Sequence, residues 1–232
     1  MAHDAATERE LSAVELVRSR GDPDHRRLCV MSLVAHLAGE PHGDRPRAAS
    51  PIVAAFARAV NDAMDHQTRQ RLVPFAPRIS GTADGADAAR GEALQRVLME
   101  TLLPAAVRDL RVAAGTGPRG GDAETTARLV SELTACTPAE IPSLVQDPAW
   151  DDALLIGPIR AAVAAHRSGH GEQQAESVAR ILVAAVTSLA RPSRRAWYWN
   201  LAVDVLDRLC EAEADTGAPA RAHTERNAAV SA

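Results

Sequence analysis

Apolar positions recur at helical spacing along most of this chain, most clearly near its end. Tyr198, Leu201, Ala202, Val205, Leu206 and Leu209 fall at i, i+3, i+4, i+7, i+8 and i+11, which puts them on one face of a helix. Val178, Ile181, Leu182, Ala185, Val186 and Leu189 repeat the pattern. The two helices, over about Glu172 to Leu189 and Ser193 to Glu213, are joined by Arg191-Pro192. They are expected to pack as an antiparallel hairpin. No segment shows the period-two alternation of a half-buried strand.

Helix starts are marked by capping chemistry. Thr7-Glu8-Arg9-Glu10 has the form of a capping box, in which the Thr hydroxyl and the Glu side chain satisfy backbone donors reciprocally. It opens a helix expected over Glu8 to Ser19. A capping residue directly precedes proline at Asp22-Pro23, Ser50-Pro51, Thr137-Pro138 and Asp147-Pro148. The cap accepts an orphan N–H, and proline at the first helical position gives up no needed donor. These starts predict helices over Pro23 to Gly39, Pro51 to Met64 and Pro138 to Val145. A further one runs from Pro148, is interrupted at Gly157-Pro158 and resumes to Arg167. Periodicity adds His66 to Phe75, Ala86 to Val112 and Ala123 to Ala135. Pro104 should kink or split its helix, because it removes a hydrogen bond and crowds the preceding turn. The expected architecture is all-α, a single-domain bundle of about ten helices packed as antiparallel pairs. It covers 7–215, with a disordered N-terminus at 1–6 and a disordered tail at 216–232.

Composition sharpens this picture. The chain is 46% apolar, yet it holds only three Trp, two Phe and one Tyr. Its core must be built from Ala, Leu and Val, which suits close-packed helices better than strands. Every basic residue is Arg and there is no Lys. Lysine Schiff-base chemistry is therefore excluded, and any anion held by a cationic side chain is held by planar guanidinium groups. The net charge is −4 and no basic block occurs, so a nucleic-acid partner is not expected. Cys29, Cys136 and Cys210 lie far apart and read as core thiols in a reducing cytoplasm. Neither a signal-peptide pattern nor an apolar run of spanning length is seen, so no membrane role is expected.

Reactive side chains concentrate between His36 and Pro46. There Glu40, His42 and Asp44 alternate through a loop. If the helix bearing Asp62 packs beside that loop, these four form an acidic, hydrogen-bonding pocket suited to acid–base work. The competing reading is a helix exit, with Gly39 ending the helix and Pro41 preventing its continuation. The spacing matches no metal-binding motif, and neither metal nor cofactor is assigned. Arg45, Arg47, Arg71 and Arg78 surround the same region and, with Asn61, can hold a small anionic substrate. Arg195, Trp197 and Trp199 form the one aromatic cluster and are the candidate partner interface.

The segment from Cys29 to Thr82 resembles a family of uncharacterised actinobacterial proteins. The resemblance rests on Cys29-Val30-Met31, the run Ala38 to Pro46, Ser50 to Phe56, Asn61-Asp62, Arg71-Leu72 and Pro77 to Thr82. It implies a helical cytoplasmic protein and no particular activity. Two classes of function follow. One is an accessory or partner-binding subunit of a cytoplasmic complex, hetero- or homo-oligomeric, in actinobacterial natural-product metabolism. The other is a small-molecule enzyme with the acidic pocket beside its arginines, of which a divalent-metal-dependent hydrolase is one form.

Overall fold

The computed structural model describes residues 9–114 and 156–213. It is mostly helical, with a small three-stranded sheet near the start of the chain. The helices expected over Ala123–Ala135 and Pro138–Val145, both proposed disordered ends and the Thr7 capping box lie outside the described residues.

The sheet corrects the strand-free expectation. The first helix is confined to 9–12 in the described residues, followed by β1 (Glu15–Leu16), β2 (Gly21–Asp22) and β3 (Arg27–Leu28). The strand order is β1-β3-β2, with β1 parallel and β2 antiparallel to β3. Asp22 does cap a helical start, accepting from the Asp24 N–H, but the helix is a single 3-10 turn, Pro23–His25. Arg26 then turns left-handed (φ +52°) and ends it. Gly21 is required on two counts. Its φ is +75°, and a Cβ there would sit 2.0 Å from the Arg27 carbonyl oxygen. Distant side chains complete the sheet. The Gln70 amide accepts from the Leu16 N–H and donates to the Leu16 carbonyl, both at 2.9 Å, replacing a neighbouring strand along β1.

The helix expected from Pro23 therefore begins at α1 (Val30–Leu37), where the Cys29 thiol sulfur accepts from the Ser32 N–H. Gly39, at φ +67°, follows its end. The next helix, α2 (Pro51–Ala63), has its expected bounds, and Ser50 Oγ accepts from the Ile52 and Val53 N–H groups. Ile52 to Ala57 and Val60 are all buried. Over Ile52 to Ala57 the helix is apolar on every side and lies at the centre of the fold, while Asp62 near its end is exposed.

After Asp65, which caps with its carboxylate, come α3 (His66–Arg69), a 3-10 stretch at Gln70–Phe75 and α4 (Ala76–Ile79). Arg69 is buried and donates to the carbonyls of Asn61 and Met64 at the end of α2. Beyond Gly85, α5 (Asp87–Val97) passes through a π-helical turn, Leu98–Leu102, into α6 (Leu103–Ala114). This is the expected split at Pro104. Without an N–H, proline cannot continue the i→i−4 ladder, and the wider turn just before it accommodates the ring. Of the helix expected from Pro148, the described part is α7 (Ile156–Arg167), which includes Gly157-Pro158; 148–155 lie outside the described residues.

Two more helices follow, α8 (Gly171–Ala184) and α9 (Pro192–Glu211), separated by a π-helical stretch at Ala185–Leu189. Their expected tight pairing is corrected. The main neighbours of α8 are α2 and α7, while α9 reaches across to α2 and α5 and touches α8 only lightly. At Gly171 the backbone comes close to α2, and a Cβ there would lie 2.4 Å from Ile52 Cδ1. The start of α8 thus seats directly on the first turn of α2. Buried side chains from Leu16 to Leu209 form one apolar cluster. Among the described residues no helix is long and apolar enough to cross a membrane.

Candidate functional site

The loop carrying Glu40 folds back on itself. Glu40 accepts from the Arg47 and Ala48 N–H groups, each at 2.8 Å. The Arg47 amide, then that of Ala48, holds its carboxyl below the usual glutamate range against the cost of desolvation. An ionised carboxylate bound to two amides is a strut for the 45–49 backbone and a poor proton donor. His42 is exposed on the loop. Asp44 points its carboxylate at Arg20, 3.6 Å away.

Asp62 accepts from the Ser19 N–H at 2.9 Å. Asp44 and Asp62 therefore both meet the turn before β2, through its adjacent residues Ser19 and Arg20. Asn61 is fully buried. Its amide donates to the Val17 carbonyl and to Asp62, and its oxygen accepts from the Val30 N–H. Of the four expected pocket residues, Asp44 and Asp62 are brought to one turn, Glu40 is tied to its own loop and His42 is exposed. Asn61 and Asp62 brace the sheet on α2, and Glu40 braces its own loop. Among the described residues no group of three or more His, Cys, Asp or Glu is gathered to hold a metal ion.

The arginines separate in space. Arg71 donates to Asn200, and Arg78 pairs with Asp207 and Glu211 while lying over the Phe75 ring. Both tie the α3–α4 region to α9. Of the arginines singled out in the sequence, Arg45 and Arg47 remain together. They edge a cleft of about 450 Å³ between the loop that Glu40 closes, the start of α2 and the start of α8. That is within the range of small-ligand sites.

Arg58 reaches the cleft from α2 and Glu172 from α8. The Glu172 Oε1 atom accepts from Arg45 at 2.8 Å and from Arg58 at 3.3 Å. Arg58 also donates to the Asp44 carbonyl, and its side chain is only 15% exposed. Arg58 and Glu172 escaped the sequence reading. The available signals were one arginine inside an otherwise apolar helix and an acid directly after a glycine at a helix start.

The aromatic cluster divides between core and surface. Trp199 is buried, Trp197 is half-buried beneath Arg194, whose guanidinium lies 4.4 Å from the ring centroid, and Arg195 is exposed. The Tyr198 hydroxyl donates to Asp109 at 2.7 Å. Burial, then the Asp109 carboxylate, pushes the Tyr198 pKa up and keeps the phenol neutral. Cys210 is likewise pushed up by burial, to about 11, which makes it a poor nucleophile at neutral pH.

The role of Glu40 has a direct check. Glu40→Gln is expected to lower the melting temperature, because a neutral amide oxygen accepts the two N–H bonds less strongly than a carboxylate. Unchanged melting together with lost function would reinstate it as a reacting group. Comparison of the chain with family models, with curated proteins and with solved structures gives no match in any of the three.

Proposed function

We propose that this protein is an accessory, partner-binding subunit of a cytoplasmic complex, and that it recognises an anionic group in the Arg45–Arg47–Arg58 cleft. The carrying observation is that three arginines from two elements line one concave surface, where Arg45 and Arg58 meet at a single Glu172 oxygen. Arg58 is oriented from within α2, while Arg45 and Arg47 extend from a loop that Glu40 fixes. Arg58, held by the Asp44 carbonyl, is a preset cation that loses little freedom on binding an oxyanion, while Arg45 and Arg47 are exposed at the rim. The consumption of Glu40 and Asp62 in backbone bonds supports binding over acid–base catalysis. The actinobacterial resemblance of residues 29–82 supplies the proposed setting, natural-product metabolism.

The test is calorimetric titration with inorganic phosphate and with citrate at low ionic strength. The double variant Arg45→Ala/Arg47→Ala suits it, because these side chains are 67% and 91% exposed and the fold does not depend on them. Affinity is expected to fall by about tenfold or more with unchanged melting, as two charge-assisted contacts are lost. Equal affinity in the variant would overturn the assignment.

A further inference from the structure

We infer that Glu172 is an internal competitor for the ligand, occupying the position that a phosphate group of the ligand takes between Arg45 and Arg58. The inference rests on the cleft being the recognition site, and it adds the ligand's chemical class and its control. One carboxylate oxygen, Glu172 Oε1, accepts from both arginines, one from the loop and one from α2. Neither arginine makes the two-point contact with Glu172 that a guanidinium is shaped for. Arg47, on the same rim, lies 3.8 Å from Glu40 and is otherwise solvated.

Arg45 and Arg58 share a single Glu172 oxygen, with Arg47 at the rim, and an oxyanion with three terminal oxygens can give each guanidinium an acceptor of its own. The cleft walls are apolar at Pro46, Ala49 and Ala54 and polar at Ser50, Thr82 and Asp87, whose carboxylate is engaged by Ser50 and Arg90. They offer no aromatic face for a base to stack on, so a phosphomonoester without a nucleobase fits them.

The local charges give Glu172 its inhibitory role. Arg45, Arg47, Arg58 and Arg90 stand against Glu40, Asp84, Asp87 and Glu172, and the neighbourhood carries no net charge. An incoming dianion meets a positive site only when Glu172 swings aside. Glu172 lies in the first turn of α8, where the helix dipole continues to stabilise its charge once the two arginines are released. The seat of Gly171 on Ile52 fixes where that turn begins. Ligand and Glu172 thus exchange on the same two arginines while α8 stays docked.

The experiment titrates the wild-type chain, Glu172→Gln and Glu172→Ala with inorganic phosphate. Parallel arms use glycerol phosphate and a phosphoserine peptide, and circular dichroism verifies the fold. Removal of the competing charge is expected to tighten phosphate binding about tenfold in both variants, with a steeper salt dependence. Tighter binding of glycerol phosphate identifies a small metabolite as the source, and tighter binding of the peptide identifies a phosphorylated partner. Measurable wild-type binding that neither variant improves overturns the inference and leaves the cleft assignment standing. No binding by wild type or variants overturns both.

Discussion

Replacing Arg90 by alanine is expected to destabilise the fold by about 3–5 kcal/mol, the range for breaking a buried charged network. Arg90 is fully buried, on an α5 turn that faces the end of α9. Its guanidinium forks onto both oxygens of Asp84 at 2.7 Å and donates to the carbonyls of Thr82 and Leu209 at 2.8 and 2.9 Å. Alanine leaves those carbonyls without their donor and opens a void among apolar neighbours. For a chain of this length, the melting temperature should fall by on the order of 10 °C.

The same contact sets an acid limb. Arg90 holds the Asp84 carboxyl at about 2, against an ordinary 3.8. With the folded value depressed, the ionised pair stabilises the protein above about pH 4 and is lost as pH falls toward 2. Asp84 is 41% exposed, so solvent screens part of this. Arg90→Ala should flatten the fall of melting temperature across that window. A variant that melts like wild type at neutral pH would show that the network contributes little.

Asn61→Ala is expected to cost about 2–4 kcal/mol, because it strands two polar groups beneath the sheet. The Val30 N–H, at the start of α1, loses its acceptor, and the Val17 carbonyl loses its donor. Asn61→Asp should be nearly as damaging. It keeps the acceptor for Val30 but loses the donor to Val17 and sets a second carboxylate beside Asp62. Hydrogen exchange locates the effect. The Val17 amide, bonded to the Leu28 carbonyl at 2.8 Å, should lose protection before amides of α8 do. Lost ligand binding with unchanged exchange would instead return Asn61 to a binding role.

The parts of the fold legible in the sequence were those decided locally. Ser50-Pro51 announces α2, and the apolar periods over 172–189 and 193–213 mark the last two helices to within a few residues, whereas the helix expected over His66 to Phe75 is α-helical only to Arg69. The sheet was illegible because its strands are two residues long and carry no alternation. Gln70 and Asn61, many residues away, hold them. The burial of Arg90 was illegible, since a charged side chain at helical spacing carries no local mark of burial. Gly91 beside it was a faint one, because its face meets Gln174, whose amide donates to the Gly91 carbonyl. The loop from His36 to Pro46 was located by its density of reactive groups. Its chemistry was not, because the sequence cannot tell a carboxylate that reacts from one that ties down two amides.

The central claim is that function resides in the cleft between the 45–49 loop and the start of α8. Amide NMR spectra recorded while inorganic phosphate is added to the uniformly labelled protein test it most directly. Saturable shifts are expected at Arg45, Arg47, Ala48 and Glu172, with the indole signals of Trp197 and Trp199 unmoved. Shifts clustered at Arg71 and Arg78, or at Arg195 and Trp197, with a silent cleft, would contradict it.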